Sequence, residues 1–467
     1  LISSPETFDP FNHPREATQR RAHVLRRMAS LGHISPQDVE AASAQPLPTT
    51  LHVRRAQPTR YFTEEVRRQL LADERLGPTP DERRATVFRG GIRVETTFDP
   101  RVQAAAEAAV REILPASPFT AALVAVDPSD GSVKALVGGP GFEQAKYNLA
   151  TQGARQAGSS FKTVALAAWL ADGRSPEDVV DATAPCELPM PAPQPPWKVD
   201  NYDGGSGEPI VSSLREATVR SSNCAYARLS LVLGHEKIAA MARDLGIRRE
   251  LPPYPSIVLG SGEVSPLEMA SVYATLAAEG VRREPMFIRR VLDRQGKVLF
   301  ENSPREKRVL DANVARTVTD VLRGVVDRGT GTRAAIGRPA AGKTGTAQEW
   351  RDAWFAGYTP QLASAVWMGS PVGQHPMVGV EGVNVTGGSY PARIWSRFMS
   401  AALAPLPVAD FAAPNAAAWP APAPIGALPL SIVPPPPSDP APAIVPPAPI
   451  DERVREWRDR AKKRRGD

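Results

Sequence analysis

Two strand-forming stretches about two hundred residues apart bracket a helical middle, and that arrangement leaves few ways to fold. The first, ALVAVDPSDGSVKALVGG (122–139), places two apolar, β-branched runs around a turn rich in Asp, Ser and Gly, the pattern of a hairpin. The second is AGKTGTAQ (341–348), AWFAGYTP (353–360) and LASAVWMG (362–369), close enough together to lie as antiparallel neighbours. Sheet segments from both ends of a long helical interval predict an α+β domain, with helices packed on an antiparallel sheet.

The flanks are of a different kind. Residues 1–47 read as two helices. The first carries Val24, Leu25 and Met28 on one face and Arg on the other, and stops at Gly32; the second has Ser35 as cap and Pro36 in its first turn. Such a block is too small for a core of its own. Residues 48–117 read as a linker and interdomain region. Within it RYFTEEVRRQLLADERLG predicts a helix, GGIRVETTF a strand, and Asp99 and Pro100 the start of a helix through RVQAAAEAAVREIL. The main domain is expected over 118–404. From 405 to 450 there are 16 prolines, and that composition predicts extended or disordered chain over 405–467. The last residues, DERVREWRDRAKKRRGD, hold eight Lys or Arg against five Asp or Glu: a solvated tail, or a contact for an anionic polymer.

Composition narrows the function classes. The net charge of +6 is spread through the chain, without a basic patch interleaved with aromatics, so nucleic acid is not expected as a partner. Six histidines (His13, His23, His33, His52, His235, His375) are scattered without an H-E-x-x-H, and no C-x-x-C exists, so no metal or other cofactor is expected. Cys186 and Cys224 read either as buried thiols or, in an exported domain, as one bridge. No apolar run approaches the roughly 18 residues of a membrane span. The chain opens on Leu1 rather than Met, so its N-terminus, with any anchor, is expected upstream.

Chemistry enters at ARQAGSSFKTVALAAWLADG (154–173). Ser159 is either the cap of the apolar helix that follows or a nucleophile, because Lys162, three residues on, shares its helix face. Two further pieces follow in order. TVRSSNCAYARL supplies Ser221, Ser222 and Asn223 on a segment that reads as helical, 62 residues after Ser159. AAGKTGTAQ supplies Lys343, Thr344, Gly345 and Thr346 on a strand, a further 122 residues on. S-x-x-K, S-x-N and K-T-G in this order are the signature of serine β-lactamases and penicillin-binding proteins. No histidine lies near any of them, which excludes a Ser-His-Asp arrangement.

The chain resembles the transpeptidase domain of class A penicillin-binding proteins over roughly residues 92–400. VETTFDPRVQAAAEAAV, YNLATQGARQAGSSFK, NYDGGSGEP, LGSGEVSPLEMASVYATLA, DAWFAGYTP and VTGGSYPARIWSRFM carry the resemblance beyond the three motifs. Residues 15–47 are similar to the closing helices of the family's glycosyltransferase domain, so a remnant without glycan-polymerising activity is expected. The resemblance implies a role for each residue. Ser159 is the nucleophile and Lys162 its base, made basic enough at neutral pH by burial, a helix N-terminus and the second cation Lys343. Ser221 relays a proton to the leaving amine, and Asn223 holds Lys162 and the substrate backbone. Lys343, Thr344 and Thr346 bind the substrate carboxylate, Gly345 makes room against the strand, and the Ser159 and Thr346 N–H groups form the oxyanion hole. Ala157 stands where the family commonly has Pro, which is expected to loosen the turn before Ser159.

The implied function is a D,D-transpeptidase that crosslinks peptidoglycan stem peptides outside the cytoplasm, is acylated by β-lactams, and is tethered to the membrane by an upstream segment. The alternatives are a D,D-carboxypeptidase or β-lactamase on the same fold, and a non-crosslinking β-lactam sensor or wall scaffold.

Overall fold

The structure is a computed structural model that describes residues 4, 6–48, 60–202 and 210–426. It divides into two units, 1–60 and 61–467. In the first, helices Pro14–Ser30 and Pro36–Ala44 pack on one another, and Ser35 and Asp38 close a capping box at the start of the second.

The larger unit is built on a five-stranded antiparallel sheet. Its strands are β1 (Thr120–Val126), β2 (Val133–Val137), β3 (Ala341–Thr346), β4 (Asp352–Thr359) and β5 (Leu362–Gly369), in the order β3-β4-β5-β1-β2. The apolar runs lack polar alternation because both faces are covered. Ala121, Leu123 and Ala125 enter one core with Phe355, Val366, Trp395 and Phe398, whereas Ala122, Val124 and Val126 enter the other with Trp354, Tyr358 and Trp367. Helices Pro100–Ile113 and Tyr390–Leu403 cover the first face, and Pro266–Ala277 lies on the second. Asp99 caps the helix that follows it by accepting from the N–H groups of Arg101 and Val102. The helix Lys162–Ala171 is buried on every side from Lys162 to Leu170, as its unbroken apolar sequence requires.

Two boundaries differ from the sequence expectation. The chain from Tyr61 onward is no linker: Tyr61, Phe62, Val66 and Leu70 form the apolar face of helix Arg60–Ala72 and are buried in the main core. Strand Arg93–Thr96 likewise pairs with Ile288–Leu292. The Pro-rich segment, in turn, is packed as far as residue 426. The ring of Phe411 meets that of Tyr358 edge to face at 5.5 Å, and Trp419 Nε1 donates to Thr317 Oγ1 at 3.1 Å. Pro424–Ile425 then pairs in parallel with Val179–Val180. Three apolar anchors between the prolines supply enough burial to order chain that the proline content marks as unfolded. The remainder, 427–467 with its basic end, lies outside the described residues, as does 203–209 within the NYDGGSGEP landmark.

Cys186 and Cys224 form a disulfide, with their Cα atoms 6.0 Å apart, which decides between the two readings of this pair. The bridge ties the hairpin Cys186–Leu188/Trp197–Val199 to helix Asn223–Leu233.

Candidate active site

Ser159 does not cap a helix. It lies in a 3₁₀ turn, Gly158–Phe161, that runs into helix Lys162–Ala171, and that helix has Phe161 at its N-cap position with no side-chain cap. A 3₁₀ turn eclipses side chains three apart, so Ser159 and Lys162 leave the backbone on the same side of the turn. The N–H of Lys162 donates to the carbonyl of Ser159, and Ser159 itself is half-buried.

The turn is pressed against the edge strand β3. Gly158 has φ +54°, and a Cβ there would come within 2.7 Å of the Thr346 backbone. A Cβ on Gly345 would lie 2.4 Å from the Ala157 carbonyl oxygen, so any side chain at either position forces the turn and the strand apart. The LGSGEV landmark holds the turn from behind. Gly158 N–H donates to the Gly260 carbonyl at 3.1 Å, and Ala157 N–H to that of Gly262 at 3.4 Å. The φ of Ala157, −67°, is one that proline would impose, and this second bond fixes the turn where proline is missing.

Ser221 departs from its expected helical setting. It sits at φ +61° in the junction between helices Leu214–Val219 and Asn223–Leu233, and Ser222 is the cap of the second. A left-handed serine costs on the order of 1 kcal/mol or more and marks a backbone held by its surroundings. Its carbonyl accepts from Lys162 Nζ at 2.7 Å, while its hydroxyl accepts from Lys343 Nζ at 2.8 Å and lies 3.4 Å from Lys162 Nζ. Asn223 Oδ1 accepts from Lys162 Nζ at 2.7 Å. Asn223 is in turn fixed by residues that sequence reasoning did not single out: its N–H donates to Asn201 Oδ1 at 2.8 Å and its Nδ2 to the Asp200 carbonyl at 2.7 Å.

Both lysines are fully buried. Burial, and secondarily the charge of Lys343, hold the Lys162 amine well below the ordinary lysine range, and burial brings Lys343 down to about 7. Two amines sharing one hydroxyl cannot both keep their protons cheaply, and Lys162 feels the charge of Lys343 on top of its own burial.

Strand pairing orders the rest. Ala347 N–H donates to the Asp352 carbonyl, so by alternation the N–H and C=O of Thr346 and Thr344 point away from β4, toward the open edge. Lys343 and Gly345 face the nucleophile turn. Thr344 and Thr346 face the opposite side, where Gly387 N–H donates to Thr346 Oγ1 at 3.2 Å and Thr344 Oγ1 lies 2.7 Å from Thr330 Oγ1. The structure thus brings together Ser159, Lys162, Ser221, Asn223, Lys343, Thr344, Gly345 and Thr346.

A family model described as the penicillin-binding protein transpeptidase domain matches residues 121–400. Penicillin-binding protein 1A of Mycolicibacterium smegmatis is 34% identical over 89% of this chain and 54% of its own length, and penicillin-binding protein 2D of Bacillus subtilis is 32% identical over 89% and 60%. The chain spans about half the length of the mycobacterial relatives it matches. Among solved structures, penicillin-binding protein PonA1 from Mycobacterium tuberculosis superposes with a TM-score of 0.67 at 32% identity, covering 79% of this chain and 97% of that one. The same protein in complex with penicillin V gives 0.65, again at 32% identity, covering 82% and 99%.

Proposed function

We propose that this chain, which belongs to the penicillin-binding protein transpeptidase family and to its class A members, is a D,D-transpeptidase working through a Ser159 acyl-enzyme. One observation carries the reading. A neutral amine has two N–H donors and one lone pair, and both donors of Lys162 are taken, by the Ser221 carbonyl and Asn223 Oδ1. The lone pair is left for a hydroxyl proton.

The proposal gives each residue a role. Ser159 Oγ attacks the penultimate D-Ala carbonyl as Lys162 takes its proton. The oxyanion forms against the Ser159 and Thr346 N–H groups, each such donor supplying ~3 kcal/mol. The proton passes by way of Ser221 to the departing D-Ala amine, and Lys343, Thr344 and Thr346 hold its carboxylate. An amine from a neighbouring stem peptide then takes the acyl group and restores Ser159. A β-lactam closes the first half of this cycle without a departing group. The penicillin V complex of PonA1 and the Cys186–Cys224 bridge, which suits an oxidising compartment, support β-lactam acylation and extracytoplasmic action. Attachment to the membrane upstream of residue 1 belongs to the same reading. The two helices of 14–44 are assigned as the end of a glycosyltransferase domain, and glycan polymerisation to no residue of this chain.

Fluorescent penicillin tests the assignment: the parent chain is labelled and Ser159→Ala is not. Equal labelling of both would remove Ser159 from the mechanism. A pH profile tests the lysines. Acylation needs Lys162 neutral and Lys343 charged, so the second-order constant rises as Lys162 loses its proton and falls as Lys343 loses its own, near pH 7. A bound carboxylate favours the charged form of Lys343, so the alkaline limb at saturating substrate lies at higher pH than that of the second-order constant. Coincident limbs would show that Lys343 does not meet the carboxylate.

A further inference from the structure

The carboxylate end of the site extends one residue beyond the three motifs. We propose that Thr330 is a specificity-determining residue that binds, together with Thr344, the free carboxylate of the acyl donor; this rests on the transpeptidase reading above. Its Oγ1 is 2.7 Å from Thr344 Oγ1, which is itself 3.4 Å from Lys343 Nζ, and Lys343 Nζ donates to Ser221 Oγ at 2.8 Å. The four side chains form one line of polar groups, running from Ser221 through the buried Lys343 and Thr344 to the exposed Thr330.

The line contains one amine, that of Lys343, and three hydroxyls, and among the described residues no carboxylate is a hydrogen-bond partner of any of its members. Its unmet requirement is therefore an anion. Thr344 is buried, and its hydroxyl is shared between Lys343 and Thr330. Thr330 is exposed as a residue, while its backbone is held in place. Thr330 N–H donates to the Val219 carbonyl at 3.4 Å, and a Cβ on the preceding Gly329 would come within 2.5 Å of that same oxygen. A Cβ on Gly388 would meet the Thr330 carbonyl at 2.6 Å. The residue is thus wedged between the helix end leading to Ser221 and the 386–388 loop beside Thr346. An isolated surface threonine has no such three-sided support. By accepting from or donating to Thr344, Thr330 also sets which way the Thr344 hydroxyl points when the anion arrives.

The test compares acylation by benzylpenicillin with acylation by its methyl ester, which lacks the anion, in the parent chain, Thr330→Val and Thr330→Ser. The ratio of the two second-order constants measures carboxylate recognition and cancels general damage to the site. In Thr330→Val the ratio falls roughly tenfold, the loss of one hydrogen bond to a charged group. Thr330→Ser, which keeps the hydroxyl, restores it to within about twofold of the parent. A Val variant with an unchanged ratio, or with both constants reduced equally, overturns the proposal. Failure of the underlying reading has a different signature: benzylpenicillin then modifies the parent and Ser159→Ala alike, or neither.

Discussion

Replacing Lys162 by methionine lowers the acylation of Ser159 by ~10²–10⁴-fold, the usual contribution of a positioned general base. Methionine matches the length of the lysine stem, so the buried helix keeps its packing. Two acceptors, the Ser221 carbonyl and Asn223 Oδ1, lose their donor at about 1–3 kcal/mol each. Against that loss stands the relief of a desolvated amine, since Lys162 is fully buried beside a second cation. The two changes oppose one another, and the variant melts as a folded protein with its reactivity gone. Stopped-flow acylation with a chromogenic cephalosporin, beside a thermal melt, checks both halves. Parental rates in the folded variant would transfer the role of base to another group, and Lys343 through Ser221 would be the first to examine.

The second large effect is on stability. Changing Cys186 and Cys224 together to serine destabilises the fold by about 4 kcal/mol, from the loop-closure entropy of a 38-residue separation. The closed segment includes Asp200 and Asn201, which hold Asn223, and Asn223 follows Ser221 by two residues. Loss of the bridge therefore also slows acylation, because the Lys162 partners sit at the end of the freed loop. Urea denaturation of the oxidised, reduced and doubly substituted chains reads this out. A common midpoint for all three would show that the bridge contributes nothing.

What the sequence disclosed and what it concealed follow the range of the interactions involved. Ser159 with Lys162, and Lys343 with Thr346, are neighbours along one turn or one strand, so their spacing carries their geometry. Ser221 reads as helical because Ser, Asn and Cys flank it on the way into an apolar run. Its left-handed φ arises from the packing of two helices that no local pattern reports. The sheet was legible as strands, but the separation of its residues between two cores required knowing that both faces are covered. The packed chain from 405 to 426 stayed hidden because proline content dominates composition, whereas Phe411, Trp419 and Ile425 act singly, each on a distant element. Thr330 had no motif to announce it, and its position comes from the meeting of a helix end, a strand and a loop.

The alternation along β3 divides labour across the thickness of a single strand. Lys343 and Gly345 look toward the nucleophile turn, while Thr344 and Thr346 look toward the 386–388 loop. Proton transfer thereby keeps to one side, while recognition of the acyl donor draws on the threonines of the other side together with Lys343. A lineage under drug selection can remodel the outer side, at Thr344, Thr346 or the residues against them, while the basicity of Lys162 stays as it was. Such a site is evolvable in its discrimination between inhibitor and substrate and conservative in its chemistry.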